Sequence, residues 1–350
     1  LLGAMAVAGV FALGGLALAG GGRAIRGPVE LVHRTARRLR RAATIPPEEP
    51  AFAAVEGLAP RITPIGEHYV VDTALVDPRV DQATWRLEIA GAVEAPYELT
   101  YDELLDLEAV EQVHTLECIS NVIGGGLVGN AVWTGVPFPD LLARARPKAE
   151  AYDVVLRSVD GYSDSIRLAK ALEPRTLVAY LMNGFVLPEE HGFPARTLVP
   201  DIYGMKNVKW LRQIELVTYD YFGFWMEQGW SDLAIVNTHS RIDVPRRDVR
   251  WTGGEIVVAG IANAGARGVA KVEVSTDAGE TWTEARLERA ISDLTWRRWL
   301  LRWTPPGEGR HTLLVRATDG GGLLQTRTAR DPFPDGSTGW DEVAITVRRS

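Results

Sequence analysis

The stretch His114-Thr-Leu-Glu-Cys-Ile-Ser-Asn-Val-Ile-Gly-Gly-Gly-Leu-Val-Gly-Asn130 contains the only cysteine of the chain, Cys118. The β-prone run of residues 112–116 leads into this cysteine. Asn121 and three consecutive glycines follow, and these residues favour turns and close approach of the backbone. The pattern predicts a thiol at the end of a strand. Such a thiol is either a small buried apolar side chain or a ligand for a metal or a bulky cofactor.

Composition and charge limit the classes of function. The chain has 350 residues, of which 46% are apolar and 24% charged, and this length favours two domains plus an extension. A single cysteine excludes an intrachain disulfide, a Cys-X-X-Cys redox pair and c-type haem attachment. Residues 1–41 carry a charge of +6 within a net charge of −7, so the rest of the chain carries −13. Such an acidic globular part argues against nucleic-acid binding.

The N-terminal segment suggests a membrane anchor. Residues 1–22 include no charged side chain and, as a helix, would reach roughly 33 Å, enough to cross a bilayer. The rival interpretation is a signal peptide, which would need a charged region ahead of the apolar run. Residues 23–63 follow as a basic juxtamembrane stretch and a Pro-rich linker. The arginines up to Arg41 could contact anionic lipid, and the positive-inside rule would place them in the cytoplasm.

Two domains are expected beyond the linker. Residues 64–240 mix strands with short helices, one after Thr100 and one at Pro139, without regular strand–helix alternation, so we predict a mixed α+β domain. Residues 241–350 contain short β runs separated by turn signals, which predicts an immunoglobulin-like β-sandwich. Four tryptophans of this half are expected in its core or at an interface: Trp282, Trp296, Trp299 and Trp303.

Several familiar motifs are excluded. Residues 124–129 read G-x-G-x-x-G, but the segment that follows is extended and ends at Pro137, whereas a dinucleotide site needs a helix there. The six histidines show no zinc spacing, and no G-x-S-x-G elbow is present. Residues 160–165 form a polar turn that contains Asp160 and Tyr162. This turn is either a surface loop or part of a pocket.

A second polar stretch gathers cations in an acidic domain. His191, Arg196, Lys206 and Lys209 lie within about 20 residues and alternate with glycine and apolar residues. Fixed cations beside free backbone N–H groups form an anion or phosphate cradle. Ordinary surface lysines are the alternative.

Taken together, these stretches resemble the sulfite oxidase family of molybdenum-cofactor enzymes. The likeness covers roughly residues 64–347 and keeps the matching pieces in the same order. These pieces are Thr115-Leu-Glu-Cys-Ile-Ser-Asn121, Trp133-Thr-Gly-Val136, Met182-Asn-Gly184, His191-Gly-Phe-Pro-Ala-Arg196, Tyr203-Gly-Met-Lys-Asn-Val-Lys-Trp210 and Lys271-Val-Glu-Val-Ser-Thr-Asp-Ala-Gly-Glu-Thr-Trp282.

The resemblance implies a molybdenum bound by the Cys118 thiolate and by the dithiolene of molybdopterin, since soft thiolates suit such a centre. It implies oxygen-atom transfer on a small substrate, with electrons exchanged with a separate cytochrome or quinone-linked carrier. The C-terminal domain would form a homodimer. The implied cofactor-binding residues are Tyr69, Asn121, His191, Arg196, Lys206, Asn207 and Lys209, and the implied pocket residues are Asp160, Tyr162 and Trp230.

The chain departs from sulfite-oxidising relatives in its expected substrate pocket. Val122 and Ile123 follow the Cys-x-x-Asn motif where those relatives have arginines, and Val70 and Val71 stand near another expected arginine. Trp230 is matched to the tyrosine expected beside the metal. Lost cations weaken anion binding, so the departures favour a neutral substrate over sulfite.

Two questions stay open at the level of sequence. The reaction is either oxidation of a small sulfur compound or reduction of an S- or N-oxide. The catalytic domain is expected at the cell membrane on its outer face, as in many anchored bacterial relatives, although the basic residues 23–41 favour the opposite side. The rival class is a membrane-anchored binding protein that keeps the fold without the metal.

Overall fold

The computed structural model describes residues 32–74 and 76–350. Twenty strands form four sheets, and the described helices are short, so the structure is mostly β. Helix is scarcer than the predicted α+β class implies. The physical reason is that the apolar runs of residues 64–240 pair edge to edge as strands, so only short segments are left to form helices.

The strands, numbered in chain order, are β1 Leu39–Arg41, β2 Arg86–Gly91, β3 Tyr97–Thr100, β4 Ala109–Glu117, β5 Val128–Pro137, β6 Asp153–Ser158, β7 Ser163–Arg167, β8 Leu177–Met182, β9 Phe185–Val186, β10 Arg196–Leu198, β11 Leu211–Val217, β12 His239–Val244, β13 Val249–Trp251, β14 Ile256–Asn263, β15 Val269–Ser275, β16 Thr283–Glu284, β17 Arg286–Leu287, β18 Arg297–Trp303, β19 Gly309–Asp319 and β20 Asp341–Arg349. The α-helices are α1 Pro50–Ala53, α2 Tyr101–Leu105, α3 Phe138–Ala145, α4 Leu168–Ala171 and α5 Phe224–Glu227. Four 3-10 turns lie at Ile65–Glu67, Glu189–His191, Gly204–Lys206 and Gly265–Arg267.

Two sheets are built from the first eleven strands. One has the order β1-β4-β5-β8-β10, with β9 paired to β8, and the other has the order β3-β2-β11-β6-β7. β4 and β5 pair antiparallel, with His114 opposite Ala131. Nearly every residue of these two strands is buried, because layers cover both faces of the sheet. This buried pair delivers Cys118 at the end of β4.

The short helices begin at the signals that the sequence carries. Thr100 caps α2, since its hydroxyl accepts the N–H of Glu103 while the Glu103 carboxylate accepts the N–H of Thr100. α3 starts directly after Pro137 and ends at Arg146, whose φ is 55°. Both helices bury their apolar faces in the same core.

The last nine strands form the other two sheets, in the orders β12-β14-β18-β17 and β13-β20-β19-β15-β16. Their facing sides share one apolar core, which includes Val258, Val272, Leu313 and Ile345. Trp299 is fully buried in this core, and Trp303 packs against it. Trp296 is also buried, and its backbone N–H donates to the Thr115 hydroxyl across the boundary between the sheet pairs.

Parts of the basic stretch and of the Pro-rich linker contact the sheets. β1 pairs in parallel with β4, and Arg37 forms ion pairs with Asp102 at 2.6 Å and Asp106 at 2.8 Å. Phe52 of α1 packs against Ala259 and Leu300 of the C-terminal sheets. The described part of the basic stretch thus contacts acidic protein side chains, where the sequence suggested lipid.

The predicted membrane helix, residues 1–22, lies outside the described residues. Among residues 32–74 and 76–350, no helix has the length and apolar character needed to cross a bilayer.

Replacing Trp299 by alanine should lower the free energy of unfolding by about 3–5 kcal/mol, because a large, fully buried ring leaves a cavity. The urea midpoint of the full chain measures this loss. Leu323→Ala is the matched control, since Leu323 is 71% exposed, and it should shift stability by less than about 0.5 kcal/mol. Equal effects of the two changes would contradict the assignment of Trp299 to the core.

Candidate functional site

Cys118 stands at the first residue after β4, on a loop tied by backbone hydrogen bonds. Its N–H donates to the Leu127 carbonyl at 2.9 Å, and its own carbonyl accepts the N–H of Asn121 at 2.9 Å. The Asn121 side chain donates to Glu117 at 3.0 Å and accepts the N–H of Leu127 at 3.0 Å. Asn121, predicted to bind cofactor, therefore supports the cysteine loop through contacts at both of its ends.

The glycines of this loop allow the C-terminal sheets to approach. A Cβ on Gly125 would lie 2.4 Å from the Asn121 amide oxygen, and Gly124, with φ +67°, faces Asp341. Arg241 donates to the Gly125 carbonyl at 2.8 Å, and Ser337 donates to the Asn121 carbonyl at 2.7 Å. The loop that carries the thiol is thus held from both halves of the structure.

Glu117 adds a buried link between the two halves. Its carboxylate accepts the Asn121 amide on one oxygen and the Asn263 amide at 2.9 Å on the other. His239 lies 3.7 Å from the same carboxylate. The residue before the cysteine is therefore fixed by Asn121 of the cysteine loop and by groups of β12 and β14.

The Cys118 thiol is buried and close to one hydroxyl. Its Sγ lies 3.0 Å from Ser120 Oγ, and 7% of the residue is exposed. Burial raises the pKa of the thiol, since a thiolate is poorly solvated there. A bound metal cation would reverse this preference and favour the thiolate.

Arg196 is a buried cation without an acidic partner among residues 32–74 and 76–350. Its guanidinium donates to the carbonyls of His191 and Asn207, each at 3.1 Å, and lies over the Trp133 ring at 5.2 Å. Its Nε has no hydrogen-bond partner in the described part of the chain, and none of the ion pairs found there includes it. Burial lowers its pKa to about 10. An unpaired buried charge is costly, so this site suits an anionic ligand.

Two buried histidines and a tyrosine line the same region. The His68 ring stacks on Tyr69 at 5.2 Å and meets His191 edge-to-face at 5.4 Å. Burial lowers the pKa of His68 to about 4 and that of His191 to about 3, so both rings are neutral at pH 7. His68 Nε2 is buried and lacks a partner among the residues described. These rings offer neutral hydrogen-bonding groups next to the Arg196 charge.

The Tyr69 hydroxyl reaches the cysteine loop. A Cβ on Gly204 would lie 2.7 Å from that hydroxyl and 3.9 Å from the Cα of Cys118, so the three residues adjoin one another. The pKa of Tyr69 is raised well above its usual value, first by burial and then by the charge of Cys118. This arrangement links the thiol to the region of Arg196.

The other predicted cradle residues are already engaged. Lys209 donates to Asp72 at 2.8 Å and to the Glu190 carbonyl at 3.0 Å. Lys206 donates to Asp164 at 2.8 Å and is 2% exposed, so it is a core ion pair and offers no free charge to a phosphate. The Asn207 amide bonds backbone groups of residues 199–203 and thereby fixes the carbonyl that accepts from Arg196.

The three predicted pocket residues occupy different positions. Tyr162 lies close enough to Cys118 that the thiolate charge is among the causes that raise its pKa, after burial and Asp164. Asp160 is exposed, and its carboxylate accepts the Tyr162 N–H at 3.0 Å, which is an ordinary turn contact. Trp230 packs edge-to-face on Trp225 and, at 5.3 Å, on Phe333.

Residues that the sequence did not single out complete the site. These are His68, Trp133, Glu117, Asp164 and Tyr203, and each is at least half-buried. Trp133, Glu117 and Tyr203 lie in motifs that carried the resemblance, and Asp164 lies in the polar turn of residues 160–165, so these four could have been proposed. His68 has no such signal, because its contact with His191 joins segments far apart in the chain.

Comparison with known proteins agrees with this geometry. A family model described as "Oxidoreductase molybdopterin binding domain" matches residues 74–225, and another, "Mo-co oxidoreductase dimerisation domain", matches residues 232–330. Mitochondrial sulfite oxidase of Macaca fascicularis is 30% identical over 300 residues, which cover 72% of this chain and 55% of that protein. The chain belongs to the sulfite oxidase family.

Two further known proteins are similar as well. The NADH nitrate reductase of Ulva prolifera is 27% identical over an alignment of 379 positions, which includes 80% of this chain and 44% of that protein. The sulfane dehydrogenase SoxCD of Paracoccus pantotrophus shares the fold, with a TM-score of 0.73, 22% identity and 95% coverage of each chain. The chain spans about half the length of the curated sulfite oxidases that it matches.

Membership of the sulfite oxidase family implies a molybdenum–molybdopterin cofactor, and the described residues fit it. The cofactor carries a phosphate, for which Arg196 supplies a buried charge with an unpartnered Nε. His68 supplies an unpartnered Nε2 beside it, again counting only described residues, and Cys118 supplies a soft ligand for the metal.

The buried histidines should make the cofactor-free protein sensitive to acid. Burial lowers the pKa of His114 to about 3, whereas an unfolded histidine titrates near 6.5. The unfolded state therefore binds more protons between these values, and stability falls as the pH falls from about 6.5 toward 3. In His114→Gln this fall should be shallower by up to about 1.4 kcal/mol per pH unit. Urea unfolding from pH 7.5 to 4.5 measures it, and parallel curves would contradict a neutral His114.

Proposed function

We propose that this protein catalyses two-electron oxygen-atom transfer on a small sulfur compound and exchanges the electrons with a separate carrier, a cytochrome or a quinone-linked protein. The observation that carries the proposal is Arg196, a buried guanidinium without an acidic partner among the described residues, in the same structure as a free, buried Cys118. A phosphate-bearing metal cofactor satisfies both groups at once. A fold without its cofactor would leave that charge uncompensated.

Each side chain has a distinct task in this proposal. Cys118 would bind the molybdenum, Arg196 would bind the phosphate, and neutral His68 and His191 would hydrogen-bond the pterin. Lys209, paired with Asp72, would flank the phosphate. When bound, the cofactor supplies a centre that accepts or donates an oxygen atom together with two electrons. The chain itself binds and orients the cofactor and excludes water from it.

Tyr162 lies close to this centre, since its hydroxyl donates to the carbonyl of Met205, the residue after Gly204, and Gly204 adjoins Cys118. Trp230 belongs to an aromatic cluster with Trp225 and Phe333. The resemblance matched Trp230 to the residue beside the metal. We place Tyr162 there instead and assign Trp230 to the wall of the pocket. Asp160 shapes the turn that presents Tyr162.

The substrate is proposed to be an uncharged or weakly charged sulfur compound. Val122, directly after the motif that contains Cys118, is 55% exposed, and Val71 is 39% exposed. Arginines there would bind an oxyanion through charge-assisted hydrogen bonds, which valine cannot make. The sulfite oxidases among the relatives support sulfur chemistry, and oxidation is the direction that we favour over S-oxide reduction.

Attachment to the membrane and pairing of subunits are part of the proposal. The uncharged residues 1–22 would anchor the chain with its catalytic domain on the outer face, and the dimerisation-type region at residues 232–330 would join two copies.

Molybdenum content is the first test. Protein purified from cells that make the cofactor should contain about one molybdenum and one fluorescent pterin per chain. Turnover is then compared for sulfite, an uncharged thioether and methionine sulfoxide with artificial electron carriers. Oxidation of the thioether faster than sulfite supports the proposal. Molybdenum near zero would instead favour a binding protein that keeps the fold without the metal.

Replacement of Cys118 by serine should abolish activity and reduce bound molybdenum, because a hydroxyl is a harder and far less acidic ligand than a thiol. The fold should survive, since Cys118 makes a single side-chain hydrogen bond in the described structure, to Ser120. Metal analysis, activity and circular dichroism measure the three effects. Activity that persists would disprove the thiolate assignment.

Replacement of Arg196 by methionine should weaken cofactor retention roughly 10–100-fold, since charge-assisted hydrogen bonds contribute about 1.5–3 kcal/mol each. Arg196→Lys keeps the charge but loses the paired donors, so it should retain an intermediate amount. Pterin fluorescence after dialysis measures retention, and urea unfolding controls for folding. Equal retention in both variants and the wild type would contradict the phosphate role.

A further inference from the structure

Asp164 of β7 lies between the phenol of Tyr162 and the ammonium of Lys206. Its Oδ1 accepts from Lys206 Nζ at 2.8 Å and from the Ser165 N–H at 2.8 Å. Its Oδ2 lies 3.0 Å from the Tyr162 hydroxyl. Asp164 is 0% exposed, so solvent contributes nothing to this arrangement. The contacts combine an ion pair with a carboxylate–phenol hydrogen bond. The Tyr162 hydroxyl also reaches the carbonyl of Met205, the residue after Gly204, which adjoins Cys118.

The Tyr162 hydroxyl has one proton and two acceptors. Besides Asp164 Oδ2 at 3.0 Å, the Met205 carbonyl lies 2.8 Å from the same hydroxyl. While Asp164 is charged, the proton of Tyr162 favours the carboxylate, because that hydrogen bond is charge-assisted. Once Asp164 gains a proton, it can donate to the phenol oxygen, and the phenol can donate to Met205. Tyr162 and Asp164 together can therefore hold either one proton, on the phenol, or two, one on each residue.

Lys206 holds the carboxylate and is itself fully bonded. Its ammonium donates to Asp164, to the Ser165 carbonyl at 2.8 Å and to Met226 Sδ at 3.1 Å. Asp232 lies 3.7 Å from the same ammonium. The other charged groups acting on Tyr162 are Cys118 and Asp160. Burial raises the pKa of Asp164 above its usual range, and the Lys206 ammonium offsets part of this shift.

We propose that Asp164 is a positioning residue that directs the Tyr162 hydroxyl proton away from the pocket and receives that proton when Tyr162 takes one from the pocket. The catalytic relevance of this step rests on the proposed function. The phenol oxygen then faces the pocket as an acceptor, with its own hydrogen bonded to Asp164 or Met205.

The proton transfer balances without any electron or further reactant. A proton on a water or substrate oxygen in the pocket binds to the phenol oxygen of Tyr162, while the original phenol proton moves to Asp164 Oδ2. One O–H bond forms at each acceptor and one breaks at each donor. The proton returns along the same path when the pocket next exchanges with solvent. Oxidation of a substrate with an oxygen atom from water releases protons, and Tyr162 together with Asp164 would accept one of them.

The decisive measurement uses the cofactor-free full chain, labelled with ¹³C at Asp Cγ and Tyr Cζ, in an NMR pH titration. Tyr162→Phe removes the phenol hydrogen bond that favours the charged carboxylate and keeps the Lys206 pair, so the pKa of Asp164 should rise by about one unit. Conversely, Asp164→Asn removes a nearby negative charge, so the pKa of Tyr162 should fall. Both shifts support the proposal, and the absence of either overturns it.

Asp153→Asn is the matched control. Asp153 lies on β6 of the same hairpin, is buried and is paired with Arg167 at 3.0 Å, but it does not contact Tyr162 in the described structure. This variant should leave the titration of Tyr162 unchanged. The titrations need no cofactor, so their result does not depend on whether molybdenum is found. A failure of the proposed function is detected by a different measurement, the molybdenum content.

The loaded enzyme provides a second readout. General acid–base assistance is worth roughly 100-fold or more in rate, so Asp164→Asn should lower kcat by about that factor and remove the acidic limb of the pH profile. Asp164→Glu, which keeps a carboxylate, should restore part of both. A merely structural role would lower the rate without changing the profile, and that result would overturn the proposal. Should Asp164→Asn fold poorly, Tyr162→Phe alone supplies the titration test.

Discussion

A guanidinium buried without a carboxylate is the constraint on which the site depends. Arg196 is held by two backbone carbonyls and by the face of Trp133, and none of the ion pairs in the described structure reaches it. Carbonyl dipoles offset part of the cost of burying this charge, but they do not neutralise it. The surroundings keep His68 and His191 neutral, so the region retains one positive charge aimed at an anion.

The position of the Cys118 thiol depends on polar contacts made by its loop. The loop after β4 is too rich in glycine to hold one conformation by itself, since glycine loses the most conformational freedom on folding. Its order comes from polar contacts with both sheet pairs, through Glu117, Asn121 and Ser337. The position of Cys118, the proposed metal ligand, therefore depends on the packing of the C-terminal sandwich, although the sandwich is far from it in sequence. Removal of either half would release this loop.

The polar groups of the site divide into those that are satisfied and those that are not. Lys206, Lys209 and Asn207 find partners within the described chain and act as supports. Arg196 and His68 retain unpartnered nitrogens within that same part of the chain, and the proposed function assigns both to the cofactor. The distinction explains why a cluster of cations in the sequence does not translate directly into a cradle of equal members.

The sequence by itself determined the family, the thiol at the end of β4, the helix that begins after Thr100 and the strands of the sandwich. These features follow from local signals: caps, turns, alternation and a motif around Cys118. Only the tertiary structure decided that Arg196 has no acidic partner among the described residues, whereas Lys206 binds Asp164, which also accepts from Tyr162. Pairing depends on which distant segments meet in three dimensions, and sheet pairing across long stretches of chain is not encoded in any single stretch.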